Sequence, residues 1–281
     1  MTARQTIAWT TMALTFALRG DAAAATLQPQ TLQAWRAYVA ATEARIAREL
    51  TAPQGFLVSD FSRDAAGIRR AVSTGDIAIA KLETLDARGK TIVVADGSIA
   101  HWRGAVLVRG VTLDTLLSRL QHPPERGPHP LDVVALRVVD RRPDHLRLAI
   151  RMTRSAIVTA TYDTEHAIDY RRYGAARVSS RSVSTKIAEV EAAGTSAERV
   201  LPEGEDRGFL WRMNSYWRYE QVPEGVIVEL ESVTLSRGIP LGLGMIVEST
   251  IDRIARESIS RTLDSVRRLY GGAATRVAAV S

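Results

Sequence analysis

Two long alternating runs, Phe209 to Gln221 and Val226 to Arg237, are separated only by Val222-Pro223-Glu224-Gly225 and followed by a Gly/Pro-bent joint and a long amphipathic helix. So short a turn predicts a hairpin with Gln221 opposite Val226, because a slip of one residue would set Trp217 against Glu231. The predicted register pairs Trp217 with Leu230, Tyr219 with Val228, Ser215 with Ser232, Met213 with Thr234 and Trp211 with Ser236. One face is then apolar at one end and hydroxylated further along. The other carries Arg218 against Glu229 and Tyr216 against Glu231, which suits a wet surface.

The closing helix starts near Gly244 and shows Val247, Ile251, Ile254, Ile259, Leu263, Val266 and Leu269 on one stripe. That stripe must cover something, and the Trp211, Met213, Trp217 face is nearest. A sheet with one helix laid lengthwise across it can close a core and still leave room for a ligand. The alternative is a filled core without a cavity.

A chain of 281 residues suffices for one large domain, and nothing forces two. The formal charge of +6 is almost wholly arginine, since lysine occurs only at Lys81, Lys90 and Lys186. The arginines are scattered and interleaved with Asp and Glu, which argues against a nucleic-acid groove and leaves transient contact with an acidic membrane surface open. Cysteine is absent, which excludes disulfides, thiol catalysis and cysteine metal clusters.

Residues 1–25 read as a secretory signal: Arg4, the apolar stretch Ile7 to Leu18, then Ala22-Ala23-Ala24-Ala25 as a small-residue cleavage site. This predicts a periplasmic or secreted protein. The competing reading is an ordinary amino-terminal helix, buried or resting on a membrane.

Leu32, Trp35, Val39, Thr42, Ile46 and Leu50 recur at helical spacing and predict a helix ended by Pro53 and Gly55; core packing is its first role and adsorption to a bilayer its second. Residues 51–75 show no sustained period and read as a connector. Strands are expected at Ile77 to Leu85, Thr91 to Val94 and Ile99 to Val108, then a short helix from Leu113 capped by Thr112, then a loop through His122 to Pro130. Further strands are expected at Val133 to Val139, His145 to Met152, Ala156 to Tyr170 and Val178 to Glu191. Residues 192–207 are long enough for a flap over a cavity mouth, or a mobile surface loop. The expected organisation is a signal segment over 1–25, a helix and connector over 26–75, one domain over 76–271 and a tail over 272–281.

The segments His101-Trp102-Arg103-Gly104, Phe209 to Arg218 and Leu235 to Pro240, with this order of elements, resemble the START-like or SRPBCC superfamily over roughly residues 77–270. The resemblance implies an α+β helix-grip fold: a curved antiparallel sheet gripping a long C-terminal helix, here with an extra N-terminal helix. It also implies a deep hydrophobic cavity used by relatives for lipids, sterols, quinones or polyketides, with a few relatives catalysing cyclisation or hydrolysis. Matched onto this chain, the wall would take Trp211, Met213, Ser215 and Trp217 from the first strand of the hairpin and Leu230, Ser232 and Thr234 from the second. Ile251, Ile254 and Ser258 would come from the helix, and Leu148, Ile150 and Met152 from an earlier strand. The expected function is binding or transport of a hydrophobic small molecule, with no cofactor; the alternatives are a cyclase- or hydrolase-type enzyme using the same cavity and a non-binding envelope module. Oligomeric state is left open.

The five histidines, His101, His122, His129, His145 and His166, lack zinc-ligand spacing. For the enzyme alternative, His166, Asp163 and Glu165 are the acid-base candidates, provided they point into the cavity. Gly242-Leu243-Gly244 is better read as a bend than as a dinucleotide loop, since no βαβ unit follows.

Overall fold

A computed structural model describes residues 26–126, 129, 132–155, 159–203, 206–237 and 244–272, with the side chains of 155 and 244–252 left aside. The predicted signal segment, Gly242 and Leu243 of the predicted bend and nearly all of the tail lie outside these residues.

The described residues form one curved nine-stranded antiparallel sheet with helices on both faces. Before the sheet come α1 (Pro29–Thr51), a 3-10 turn (Val58–Phe61) and α2 (Ala65–Thr74). The strands are β1 (Ala78–Lys81), β2 (Gly97–Arg109), β3 (Val133–Arg142), β4 (His145–Ser155), β5 (Thr159–Arg172), β6 (Arg177–Glu191), β7 (Arg199–Val200), β8 (Arg212–Val222) and β9 (Gly225–Arg237). Helix α3 (Leu113–Gln121) follows β2, and α4 (Gly244–Tyr270) closes the chain. The spatial order is β1-β2-β9-β8-β6-β5-β4-β3, with β7 paired to β6.

The β8–β9 register is the predicted one from Gln221 opposite Val226 to Met213 opposite Thr234. It departs at Trp211, which lies before β8 begins. Trp211 leaves the pleat: its backbone N–H goes to Leu235 O and its indole Nε1 donates to Asp206 Oδ1 at 3.1 Å. That bond turns the ring to the outer face, where it packs with Trp35, Tyr38, Tyr216, Val233 and Leu235.

Helix α4 lies on the inner face. Ile259, Leu263 and Val266 pack with Trp102, Val106, Val228 and Leu230 and with Leu113, Leu116 and Leu117 of α3. Contact is closest at Gly104, where a Cβ would stand 2.6 Å from both Ile259 Cγ2 and Leu263 Cδ1, so only glycine lets the helix seat this deeply. Helix α3 starts at Thr112 as expected, the hydroxyl accepting from Thr115 N at 3.2 Å.

The outer face is not wet. Helix α1 and the 3-10 turn cover it, leaving Arg218, Glu229 and Glu231 at most 2 % exposed. The side of α1 that faces the sheet, Thr31, Trp35, Tyr38, Thr42, Ile46 and Glu49, is half polar because it meets this charged surface. Arg218 donates to Phe56 O (2.7 Å) and to Glu49 Oε2 (2.6 Å). Arg45 joins Glu49 to Glu231, and Glu229 accepts the backbone N–H groups of Val58 and Ser59 at the start of the 3-10 turn. Burial pushes the Glu229 carboxyl up, against the pull of these N–H groups, Arg218 and Arg103.

Two further expectations change. The strand expected at Thr91 to Val94 reduces to a single bridge between Leu85 and Thr91, and the connector contains α2, capped by Asp64 accepting from Gly67 N.

Candidate functional site

Alternation along β2, β9, β8, β6, β5 and β4 carries one set of side chains inward, and the space they share with α4 is a cavity of about 330 Å³. This lies at the lower end of the range typical of small-molecule sites. A transverse row crosses its floor: Ser182 stands opposite Ser215, Ser215 opposite Ser232, and Ser232 opposite Trp102. The indole Nε1 of Trp102 is buried and has no hydrogen-bond partner. The adjacent row, Ser180, Trp217, Leu230 and Gly104, is more apolar. Trp217 and Tyr219, next to each other on the inner side of β8, stack with ring centroids 6.4 Å apart and planes at 3°.

The opposite wall comes from β4 and β5. Leu148, Ile150 and Met152 face inward at the expected period of two, with His166, Ile168 and Tyr170 beside them on β5. Ala255, Ser258, Ile259, Thr262 and Leu269 of α4 form the roof, and Pro123, Pro124 and His129 lie at the rim.

Of the thirteen residues that the resemblance places on the wall, Leu148, Ile150, Met152, Met213, Ser215, Trp217, Leu230, Ser232, Thr234 and Ser258 line the cavity. Trp211 does not, being turned outward by Asp206. Ile254 is half-buried on α4 but is not part of the lining, and the Ile251 side chain lies outside the described residues. Trp102, Ser180, Ser182, Ile168, Tyr170 and Tyr270 also line the space and were not among those expected. Alternation through β2, β5 and β6 was the signal that could have found most of them. The described residues of 192–207 are absent from this lining: Val200 to Glu203 border a separate hollow of about 450 Å³ beside β6 and the start of β8.

The acid-base candidates separate. His166 is inside, 5 % exposed, with Nε2 3.1 Å from Thr164 Oγ1; burial pushes its pKa down to about 4, so the imidazole is neutral at pH 7. Asp163 and Glu165 point to the other face, where Arg151 donates to Asp163 (2.7 and 2.8 Å) and Arg147 to Glu165 (3.4 Å). Burial raises the phenol pKa values of Tyr170, Tyr219 and Tyr270, so these groups stay neutral as well. Among the described residues, the charged members of the lining are Asp132, Arg154 and Arg261. Among the described residues, no cluster of His, Asp and Glu is arranged to hold a metal ion, and no helix is long and apolar enough to cross a membrane.

No protein-family profile matches the sequence, and no curated protein is similar to it. Similar solved structures include a STAR-related lipid transfer protein from Xanthomonas axonopodis (14 % identity, 67 % of this chain and 96 % of that one, TM-score 0.43). Human StAR-related lipid transfer protein 5 (14 %, 85 % and 97 %, TM-score 0.39) is another. A third is the Zhui aromatase/cyclase of a Streptomyces species (11 %, 61 % and 95 %, TM-score 0.37). By its own strand order and closing helix, the chain has the α+β helix-grip architecture expected from the sequence, a curved antiparallel sheet gripping a long C-terminal helix with an extra N-terminal helix.

Proposed function

We propose that this protein binds or ferries a hydrophobic small molecule between its sheet and α4. The observation that carries the reading is the cavity itself, about 330 Å³ of space whose lining is mainly apolar and hydroxylated. Each methylene buried there contributes about 0.8 kcal/mol, so an alkyl tail supplies affinity without charged contacts. The hydroxyl row and the free Trp102 N–H offer hydrogen bonds that orient a polar group on the guest. Export belongs to the same proposal and rests on the character of residues 1–25.

Native mass spectrometry of protein purified from its own cell envelope tests both parts. The expected result is a mature chain beginning after Ala25 with a bound lipid, quinone, sterol or polyketide-like molecule. Ligand-free protein that takes up none of these classes overturns the binding reading, and an intact Met1 overturns export.

A second reading, a cyclase- or hydrolase-type enzyme, is favoured by one observation, the inward position of His166. It loses Asp163 and Glu165 as partners because both are engaged by arginines on the other face. Substitution His166→Phe separates the readings: a carrier retains ligand uptake, whereas an enzyme binds its substrate and fails to turn it over.

A further inference from the structure

Three arginines on β4 have different fates. Arg147 and Arg151 face outward and are bonded to Glu165 and Asp163. Arg154 continues the inward set of Leu148, Ile150 and Met152 and lines the cavity, with its Nε buried and without a hydrogen-bond partner. Asp132 and Arg261 also line the space; they stand 3.9 Å apart, and the Arg261 side chain is 44 % exposed. Arg154 thus feels the attraction of Asp132 and the repulsion of Arg261 while burial works against its charge, lowering its pKa.

A guanidinium does not shed its proton at physiological pH. A cation enclosed this way is unfavourable unless an anion or water reaches it. Its Nε–H and one Nη–H form a planar fork that fits the two oxygens of a carboxylate or phosphate, and in Arg154 the Nε–H of that fork is buried and without a partner. The apolar side chains of Ile150, Met152 and Met213 share the cavity with this fork and would run along the tail of a guest.

We propose that Arg154 is an anion-receiving site in the cavity and that the guest is an amphiphile with an acidic head, a carboxylate or a phosphate monoester, on an apolar tail. This rests on the binding function proposed above and adds the chemistry of the head group.

Calorimetric titration of the full mature chain with dodecanoate, dodecyl phosphate and dodecanol tests it, since the three share a tail and differ in the head. At least one of the acids is expected to bind about tenfold or more tighter than dodecanol. The tighter of the two acids identifies the head. In Arg154→Met that preference should fall to about onefold with dodecanol affinity retained, and Arg154→Lys should keep part of it. Because the substitution removes a half-buried charge whose Nε–H is unpartnered, ligand-free Arg154→Met should melt no lower than the parent, which checks that it folds. Equal binding of acids and alcohol by the parent, or an undiminished acid preference in folded Arg154→Met, overturns the head-group assignment while leaving a binding cavity. Failure of the parent to bind any of the three overturns this inference, while the native mass spectrometry described above decides the binding function.

Discussion

His101 Nε2 lies 2.7 Å from Glu231 Oε1 beneath α1, and both side chains are almost completely buried. Tyr38 accepts the backbone N–H of Thr84 and its phenol lies 2.9 Å from His101 Nδ1, so the hydrogen-bond pattern assigns the imidazole proton to Nε2, which donates to the carboxylate. Burial alone would push the Glu231 carboxyl up, but the His101 bond and the Arg45 charge outweigh it and hold the pKa below the ordinary 4.5. Glu231→Ala leaves the buried His101 Nε2 without its acceptor and Arg45 with Glu49 alone, and is expected to cost about 1–3 kcal/mol in urea unfolding. Because the folded pKa is the lower one, the Glu231 contribution is fully present above about pH 4.5 and is lost as pH falls further.

Gly104→Ala places a methyl group against Ile259 and Leu263 of α4. The helix or its side chains must shift, and the expected loss is about 1–3 kcal/mol. Chemical denaturation measures it. A loss well below that range would show that α4 is not seated as tightly as the 2.6 Å approaches require.

His166 makes stability depend on pH. Its folded pKa of about 4 lies below the ordinary 6.5, so the unfolded chain takes up a proton first as the solution is acidified. Stability from this residue is flat above about pH 6.5, falls by up to about 1.4 kcal/mol per pH unit toward pH 4, and totals about 3 kcal/mol. The difference in unfolding free energy between parent and His166→Gln, followed from pH 7 to pH 4, should trace that slope.

Trp217→Asp sets a carboxylate among the cavity's apolar residues and removes the stack with Tyr219. Uptake of an apolar guest should fall by about tenfold or more, since a buried carboxylate is costly to desolvate. Circular dichroism should still show the sheet. Unchanged uptake by the folded variant would place the guest elsewhere.

The hairpin was legible in the sequence because a two-residue turn and strict alternation leave one acceptable register, and Met213 to Gln221 pair accordingly. The inward set of β4 followed from the same period. What alternation cannot show is a third layer. Arg218, Glu229 and Glu231 have the residue types of a solvated face, and only the placement of Glu49, Arg45 and the Val58–Ser59 backbone makes them interior. Trp211 was misplaced because a side-chain bond to Asp206, five residues earlier, overrides the pleat where the strand begins. Helix α2 was missed since Ala65–Thr74 carries only Ile68 and Val72 as large apolar residues, too few to show a period.

The close seating of α4 on Gly104 also fixes how the cavity can breathe. With Ile259 and Leu263 wedged against β2, the helix behaves as a door leaf hung along that strand. Its packing on the sheet is mainly with β2, with smaller shares from β1 and β9, so a larger guest would gain room at the margin over β4 and β5.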